Sequence, residues 1–325
     1  MPEVTDTPPS DVQTDLNTLN EALNECVPPR IYDRNLLLAT WNLRAFGGLT
    51  EKWVSEKDDS PKRDLQSIRT IAEIIRRFDV IAVQEIRGNL KALRHTLKVL
   101  GSDWGLILTD VTRGAAGNDE RLGFLFDQRK VQISGLAAEL VVPQEELEDV
   151  GPDALQRQFA RTPYAVSFRC GETTFILVTL HVLYGKSASD RIPELRAISR
   201  WLDRWARDIN SWDHNLIALG DFNIDRKGDE RYDAFTATGL TVPDDLHEVP
   251  RTIFSDSETP SKQKFYDQIA WFTESEGRPA LSLSHKQSGY VPFEDVALPR
   301  RGLSDRSLSW HVSDHYPLWS EFELR

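Results

Sequence analysis

From residue 36 onward the chain alternates apolar runs of strand length with segments of helical periodicity, and this alternation limits the fold more than any other feature. LLLATWN (36 to 42), DVIAVQE (79 to 85), RLGFLFD (121 to 127), YAVSFRC (164 to 170), TFILVTLH (174 to 181), NLIALGDFN (215 to 223), FYDQIAWF (265 to 272) and HYPLWSEFEL (315 to 324) are rich in β-branched and aromatic residues and read as strands. FILV and LIAL are apolar at every position, so both faces of those strands must be covered, whereas other strands alternate. Helices therefore cover sheets that also pack on each other. The pattern predicts an α/β fold, a sandwich of two sheets flanked by helices.

The helical segments carry their own signals. Residues 61 to 78 place Leu65, Ile68, Ala72 and Ile75 on one face, with Ser60 as N-cap and Pro61 in the first turn. Residues 89 to 100 start at Asn89 and stop at Gly101. Residues 190 to 209 carry Ile192, Leu195, Leu202 and Ala206 at helical spacing, and Trp201 and Trp205 on this helix read as core rather than as a stacking platform. Upstream, residues 10 to 26 read as a helix capped by Ser10 with Gln13, with Leu16, Leu19 and Leu23 docking it on the main body. The Pro- and Thr-rich first ten residues are expected to be disordered. With no repeat or low-complexity linker, the expected organisation is an N-terminal extension over 1–30 and one domain over 31–325.

Charge narrows the function. Fifty-one acidic against 39 basic side chains give a net charge of -12, which excludes a whole-surface basic field for nucleic acid but not a few local arginines and a metal ion. Cys26 and Cys170 form no metal spacing and no disulfide framework, which points to a reducing compartment. No apolar run reaches the roughly 18 residues of a membrane span, and MPEVTDTPPSD is not a secretory signal. The expectation is a cytoplasmic monomer without membrane contact.

Several strands end in polar groups that a buried strand does not need. Asn42, Glu85 and His181 end their strands, Asp221 and Asn223 follow LIALG, Asp267 lies in FYDQIAW, and Asp314 and His315 precede the last strand. Catalytic groups on a rigid scaffold belong at such ends. Alternation puts Asp221 and Asn223 on one face with Phe222 pointing into packing, while Gly220 removes the Cβ that would crowd a close ligand. A carboxylate beside an amide supplies two hard oxygen ligands, suited to Mg²⁺ or Mn²⁺. Each group also has a plainer reading: an Asx turn for Asp221 and Asn223, a helix cap or salt bridge for Glu85, a hydrogen-bonded core histidine for His181.

Taken in order, WNLR (41 to 44), VQEIR (83 to 87), ERLGFLF (120 to 126), FARTPYAVSF (159 to 168), TLH (179 to 181), GDFN (220 to 223), YDQI (266 to 269) and SDHYP (313 to 317) resemble the endonuclease/exonuclease/phosphatase superfamily. These are metal-dependent phosphoesterases typified by deoxyribonuclease I. The resemblance spans residues 36 to 325 and implies a four-layer α/β sandwich, two packed, mostly antiparallel β-sheets flanked by helices, with the active site at one edge of the sheets. It implies Glu85 as the principal metal ligand, with Asn42 and Asp314 close to the ion. Asp221 and Asn223 would sit at the scissile phosphate, and His181 and His315 would be the catalytic histidines, oriented by Glu120 and Asp267. Arg87 and Arg161 match substrate-side arginines, although each also fits an ordinary ion pair.

Elementary chemistry reaches compatible roles. A phosphodiester needs a cation for its developing charge, a base for the water and an acid for the leaving oxygen. Pairing Asp267 with His315 and Glu120 with His181 would supply base and acid in an order the sequence leaves open, with Asp221 a rival for the base. The expected function is a Mg²⁺-dependent (or Mn²⁺-dependent) phosphodiesterase, an endonuclease on DNA or RNA. The alternative is a phosphatase or phosphodiesterase on a small phosphorylated metabolite or lipid headgroup. Several positions depart from relatives. Asn118, in GAAGND, stands where deoxyribonuclease I has a minor-groove tyrosine, and His181 stands where abasic-site endonucleases carry tyrosine. Arg300, Arg301 and Arg306 of PRRGLSDR, together with the insertion over 50 to 63, are candidates for holding flanking phosphates.

Overall fold

The computed structural model describes every residue except 113–116, 142–158, 208–214, 256–258, 260–262, 274–280 and 325. The central part of the first sheet consists of β1 (Asn35–Phe46), β2 (Val80–Arg87), β4 (Glu120–Asp127) and β12 (Leu318–Glu323), with β3 (Trp104–Leu108) and β11 (Ser284–Tyr290) at its edges, in the order β11-β12-β1-β2-β4-β3. The second sheet has β5 (Val131–Glu139), β6 (Tyr164–Cys170), β7 (Thr173–His181), β8 (Leu216–Asp221), β9 (Leu240–Thr241) and β10 (Asp267–Phe272), in the order β5-β6-β7-β8-β10-β9. Each sheet holds one parallel pair at its centre, β1 with β2 and β7 with β8, and all other pairings are antiparallel.

Alternation along β1 explains the layering. Leu36 and Leu38 enter the core shared with the second sheet, while Leu37, Ala39 and Trp41 enter the core beneath the helices. Three helices cover the first sheet or lie beside that cover: α1 (Ser10–Cys26), α2 (Leu65–Ile75) and α3 (Lys91–Leu100). The second sheet is covered by α4 (Ile192–Arg207) and α5 (Glu230–Thr236), and α6 (Asp305–His311) precedes the last strand. The result is a four-layer sandwich. Trp201 and Trp205 pack on the core as expected, edge to face at 4.7 Å.

Helix starts differ from the sequence reading. Ser10 is the first residue of α1 and makes no cap, the N-cap of α2 is Asp64, whose carboxylate accepts from Ser67 N at 2.9 Å, and α3 begins at Lys91 with Asn89 Oδ1 accepting from Lys91 N. A carboxylate caps as well as a hydroxyl, so composition alone did not discriminate. The N-terminal residues are ordered: Val4 is buried, and Arg69 donates to the carbonyls of Val4 and Asp6. α1 docks through Leu16, Leu19 and Leu23, with Gln66 donating to Asp15 and Arg77 to Asn20 and Asn24. The predicted end of α4 at residues 208 and 209 lies outside the described residues, as do residues 114–116 of GAAGND.

Candidate active site

The two parallel pairs explain why the polar groups converge. The C-terminal ends of β1, β2, β7 and β8 lie at one edge of the sandwich and bring Asn42, Glu85, His181 and Asp221 there. β4 and β10 run antiparallel to β2 and β8, so their first residues, Glu120 and Asp267, arrive at the same edge. β12 runs antiparallel to β1, which puts Asp314 and His315, just ahead of it, there too. A cleft of about 430 Å³ results, lined by Glu85, Arg87, Glu120, Arg161, His181, Asp221, Asn223, Asp314 and His315.

Backbone irregularities aim two of these groups. The register of β1 with β2 shifts after Asn42, and that of β2 with β4 shifts after Val83; within these bulges Ala45 and Glu85 take positive φ of 46° and 59°. Such left-handed conformations are costly for residues with a Cβ and mark constrained sites. Glu85 Oε2 accepts from Ala45 N at 2.8 Å, and Asn42 Nδ2 reaches Glu85 Oε1 at 3.3 Å and Asp221 Oδ2 at 3.0 Å. Glu85 therefore ties two strands together and is not a helix cap.

The plain reading of GDFN also holds. Asp221 Oδ1 accepts from Asn223 N at 2.9 Å, an Asx turn, with Asn223 at φ 52° and its Nδ2 donating to Val182 O at 2.7 Å. The same residues line the cleft, so turn and site are not alternatives. Phe222 packs on Phe235 as expected. Gly220 is needed for another strand rather than for a ligand: at φ 146° a Cβ there would meet Leu180 O at 2.1 Å.

Two histidine-carboxylate pairs stand on either side of Asp221. His315 Nδ1 lies 2.7 Å from Asp267 Oδ2, and His181 Nδ1 lies 3.1 Å from Glu120 Oε2, with His181 Nε2 3.6 Å from Asp221 Oδ2. Burial raises the Asp267 carboxyl to about 6 against the pull of His315. Burial also opposes the charged form of His315, yet Asp267, Asp221 and Asp314 overcome it and hold the imidazole well above its ordinary value. Burial of Glu120 likewise opposes ionisation, but His181, Arg161 and Arg87 hold its carboxyl down at about 2. Arg161 Nε donates to Glu120 Oε2 at 2.5 Å, and Arg87 lies 3.3 Å from Glu120 Oε1 while donating to Asn118 O. Both arginines thus form the plain ion pair and line the cleft as well.

The residues fit a hard cation. Asn42 Oδ1 is buried without a hydrogen-bond donor among the described residues, beside the carboxylate of Glu85. Asp314 is held by Arg44 at 3.1 Å. Asp221, Asp267 and His315 also bring ligand-capable atoms within 4.8 Å of one another.

The family profile described as "Endonuclease/Exonuclease/phosphatase family" matches residues 39–315. The chain belongs to that family. It is 25% identical to a deoxyribonuclease of Thioalkalivibrio sp. (strain K90mix), over 89% of this chain and 71% of that protein, and 24% identical to deoxyribonuclease-1 of Bos taurus, over 87% and 91%. The solved structure of a mannosyl-6-phosphatase of Bacteroides thetaiotaomicron VPI-5482 superposes with a TM-score of 0.57 at 18% identity, covering 88% of this chain and 99% of that one. The endonuclease/exonuclease/phosphatase chain described here is thus a phosphoester hydrolase of a generally divalent-metal-dependent family.

Other residues at the site had no sequence signal strong enough to single them out. Arg63 is buried and donates to the carbonyls of Arg44, Ala45, His311 and Val312, bracing the end of β1 against α6; burial lowers its guanidinium to about 10. Arg251 is fully buried and donates to Asp267 O at 2.7 Å. Arg44, Tyr184, Tyr266 and Trp310 line the cleft. Conversely, the arginines of PRRGLSDR do not line it. Arg301 pairs with Asp64 at 2.8 Å, Arg300 with Asp15 at 3.3 Å, and Arg306 is exposed. The 50 to 63 insertion closes on itself through Lys52 with Glu56 and Asp59. Among the described residues no helix is long and apolar enough to cross a membrane.

Proposed function

We propose that this phosphoesterase is a Mg²⁺- or Mn²⁺-dependent endonuclease that hydrolyses phosphodiester bonds within nucleic acid. The observation that carries the reading is the pair of histidines, each backed by a buried carboxylate, flanking Asp221 in one cleft. The two relatives named as deoxyribonucleases support it.

In this reading Asn42, Glu85 and Asp314 hold the ion. When bound, it would neutralise charge developing on the phosphate. The Asp221, Asp267 and His315 group handles protons instead, because Asp267 Oδ2 and His315 Nδ1 already bind each other. Asp267 fixes the His315 imidazole through Nδ1 with Nε2 as the atom free for chemistry; Glu120 lies 3.1 Å from His181 Nδ1 without an aligned hydrogen bond and would orient His181 by a small rotation of the ring. One pair takes the proton from the attacking water and the other returns a proton to the leaving oxygen, with Asp221 able to take the first role. Asn223 orients the phosphate, and Arg87 and Arg161 neutralise its non-bridging oxygens or those of a neighbour. Both arginines sit beside Glu120, so anchoring substrate and orienting His181 are linked.

The net charge of -12 favours a second reading, a phosphatase or phosphodiesterase on a small phosphorylated metabolite. Measuring strand scission of DNA and RNA beside inorganic phosphate release from sugar phosphates separates the two. Scission without phosphate release is expected. Phosphate release with intact nucleic acid would replace the first reading with the second.

A further inference from the structure

Among the described residues, four aromatic side chains are exposed: Tyr32, Tyr184, Phe254 and Trp310. Two of the four, Tyr184 and Trp310, line the catalytic cleft, and they reach it from opposite sheets. Trp310 lies on α6 against the end of β1, and Tyr184 lies just beyond β7. Both are mounted alike. The Arg44 guanidinium stacks on the Trp310 ring at 4.0 Å and is fixed by Asp314 and Ser309; the Arg191 guanidinium stacks on the Tyr184 ring at 4.2 Å and is fixed by Asp225 and the Asn223 carbonyl.

An arginine stacks on one face of each ring, yet Trp310 is 44% and Tyr184 56% exposed. Burying these rings against protein would have been the ordinary outcome for such area. Here they are held by residues that also touch Asp314 and Asn223, so their positions are tied to two of the candidate site residues. A flat apolar face beside a phosphate site suits a nucleobase, and each base offers such a face only when it is unstacked.

Two further observations favour unpaired strands. Arg87 is held by Asn118 O and Glu120 and is therefore not extended toward a groove. The chain's net charge of -12 also limits the backbone-only attraction on which non-specific duplex binding depends. Short-range stacking adds affinity beside the contacts to the reacting phosphate.

We infer that Trp310 and Tyr184 are nucleobase platforms on the two sides of the scissile phosphate, and that the substrate is single-stranded or locally unpaired nucleic acid. The inference rests on the nuclease reading above and names its substrate class.

The test is a cycle between protein and substrate. Single-stranded oligonucleotides with one hydrolysable linkage, carrying either bases or abasic sugars around it, are cut by wild type, Trp310→Ala, Trp310→Phe and Tyr184→Ala, with the matching duplex as comparison. Removing the bases is expected to lower wild-type kcat/KM by about 5- to 100-fold, chiefly through KM, and to cost the alanine variants several-fold less. Trp310→Phe restores most of the sensitivity, and the single strand is cut faster than the duplex. Equal losses in wild type and Trp310→Ala, or a preference for the duplex, would overturn the inference while leaving the nuclease reading in place. Absence of cleavage of any nucleic acid by wild type would sink that reading and the inference with it. Trp310 and Tyr184 are exposed, so thermal unfolding of the variants should match wild type; a folding loss in Trp310→Ala leaves the Trp310→Phe and Tyr184→Ala arms to decide.

Discussion

Glu120→Gln tests the electrostatics of the site without requiring knowledge of the substrate. Glu120 is 1% exposed and serves as counter-ion to Arg161 at 2.5 Å and Arg87 at 3.3 Å, with His181 Nδ1 at 3.1 Å. These partners lower its carboxyl from the ordinary 4.5 to about 2 in spite of burial. Each pH unit of displacement corresponds to roughly 1.4 kcal/mol, so the ionised carboxylate stabilises the fold by about 3 kcal/mol relative to its protonated form. Glutamine stands in for that protonated form. Because the folded value is depressed, the stabilisation is fully present above the unfolded value and is lost as pH falls toward the folded one. Urea unfolding in chelator should show wild type more stable than the variant by about 3 kcal/mol at pH 7, with roughly a quarter of the gap gone by pH 4 and unchanged m-values. A gap below about 1 kcal/mol at pH 7, or one that does not narrow on acidification, would refute the reasoning.

Three other substitutions probe the site. His315→Ala should lower turnover by about 10²- to 10⁴-fold with folding intact, as read by single-turnover rates and circular dichroism, and near-normal turnover would remove its assigned role. Asp267→Asn should cost on the order of 10³-fold in kcat by presenting the wrong face of the imidazole, while a kcat near wild type would show that His315 is oriented by something else. Gly220→Ala forces a Cβ onto the Leu180 carbonyl at a positive φ. Thermal unfolding should reveal a loss on the order of 3 kcal/mol, and an unchanged melting temperature would show that β7 and β8 can part to admit it.

Much of the architecture was legible because burial writes itself into strands. The eight predicted strands are present, since each is apolar on at least one face, and FILV and LIAL do lie in central, doubly covered positions. The strands missed are edge strands or nearly so: β3, β5, β9 and β11. WGLIL is short, and SHKQSGY carries no apolar alternation, because an edge strand needs little of either. The catalytic candidates were legible as polar groups at strand ends, and all but Asn42 and Asp267 line one cleft, with those two bonded to residues that do. What the sequence could not convey was backbone conformation and long-range bracing. Nothing in VQEIR announces a left-handed glutamate, and nothing marks Arg63 as a buried clamp on carbonyls far along the chain or Arg251 as one on Leu246 and Asp267. The PRRGLSDR arginines misled for the same reason, since their partners Asp15 and Asp64 lie hundreds of residues upstream.

The most direct test of the central claim is nicking of supercoiled plasmid by wild type and His181→Ala, in Mg²⁺, in Mn²⁺ and in chelator. Metal-dependent nicking by wild type that disappears in chelator and in His181→Ala is the predicted result. Plasmid, single-stranded DNA and RNA all left intact by wild type under both metals, while a simple phosphodiester is hydrolysed, would contradict the nuclease assignment.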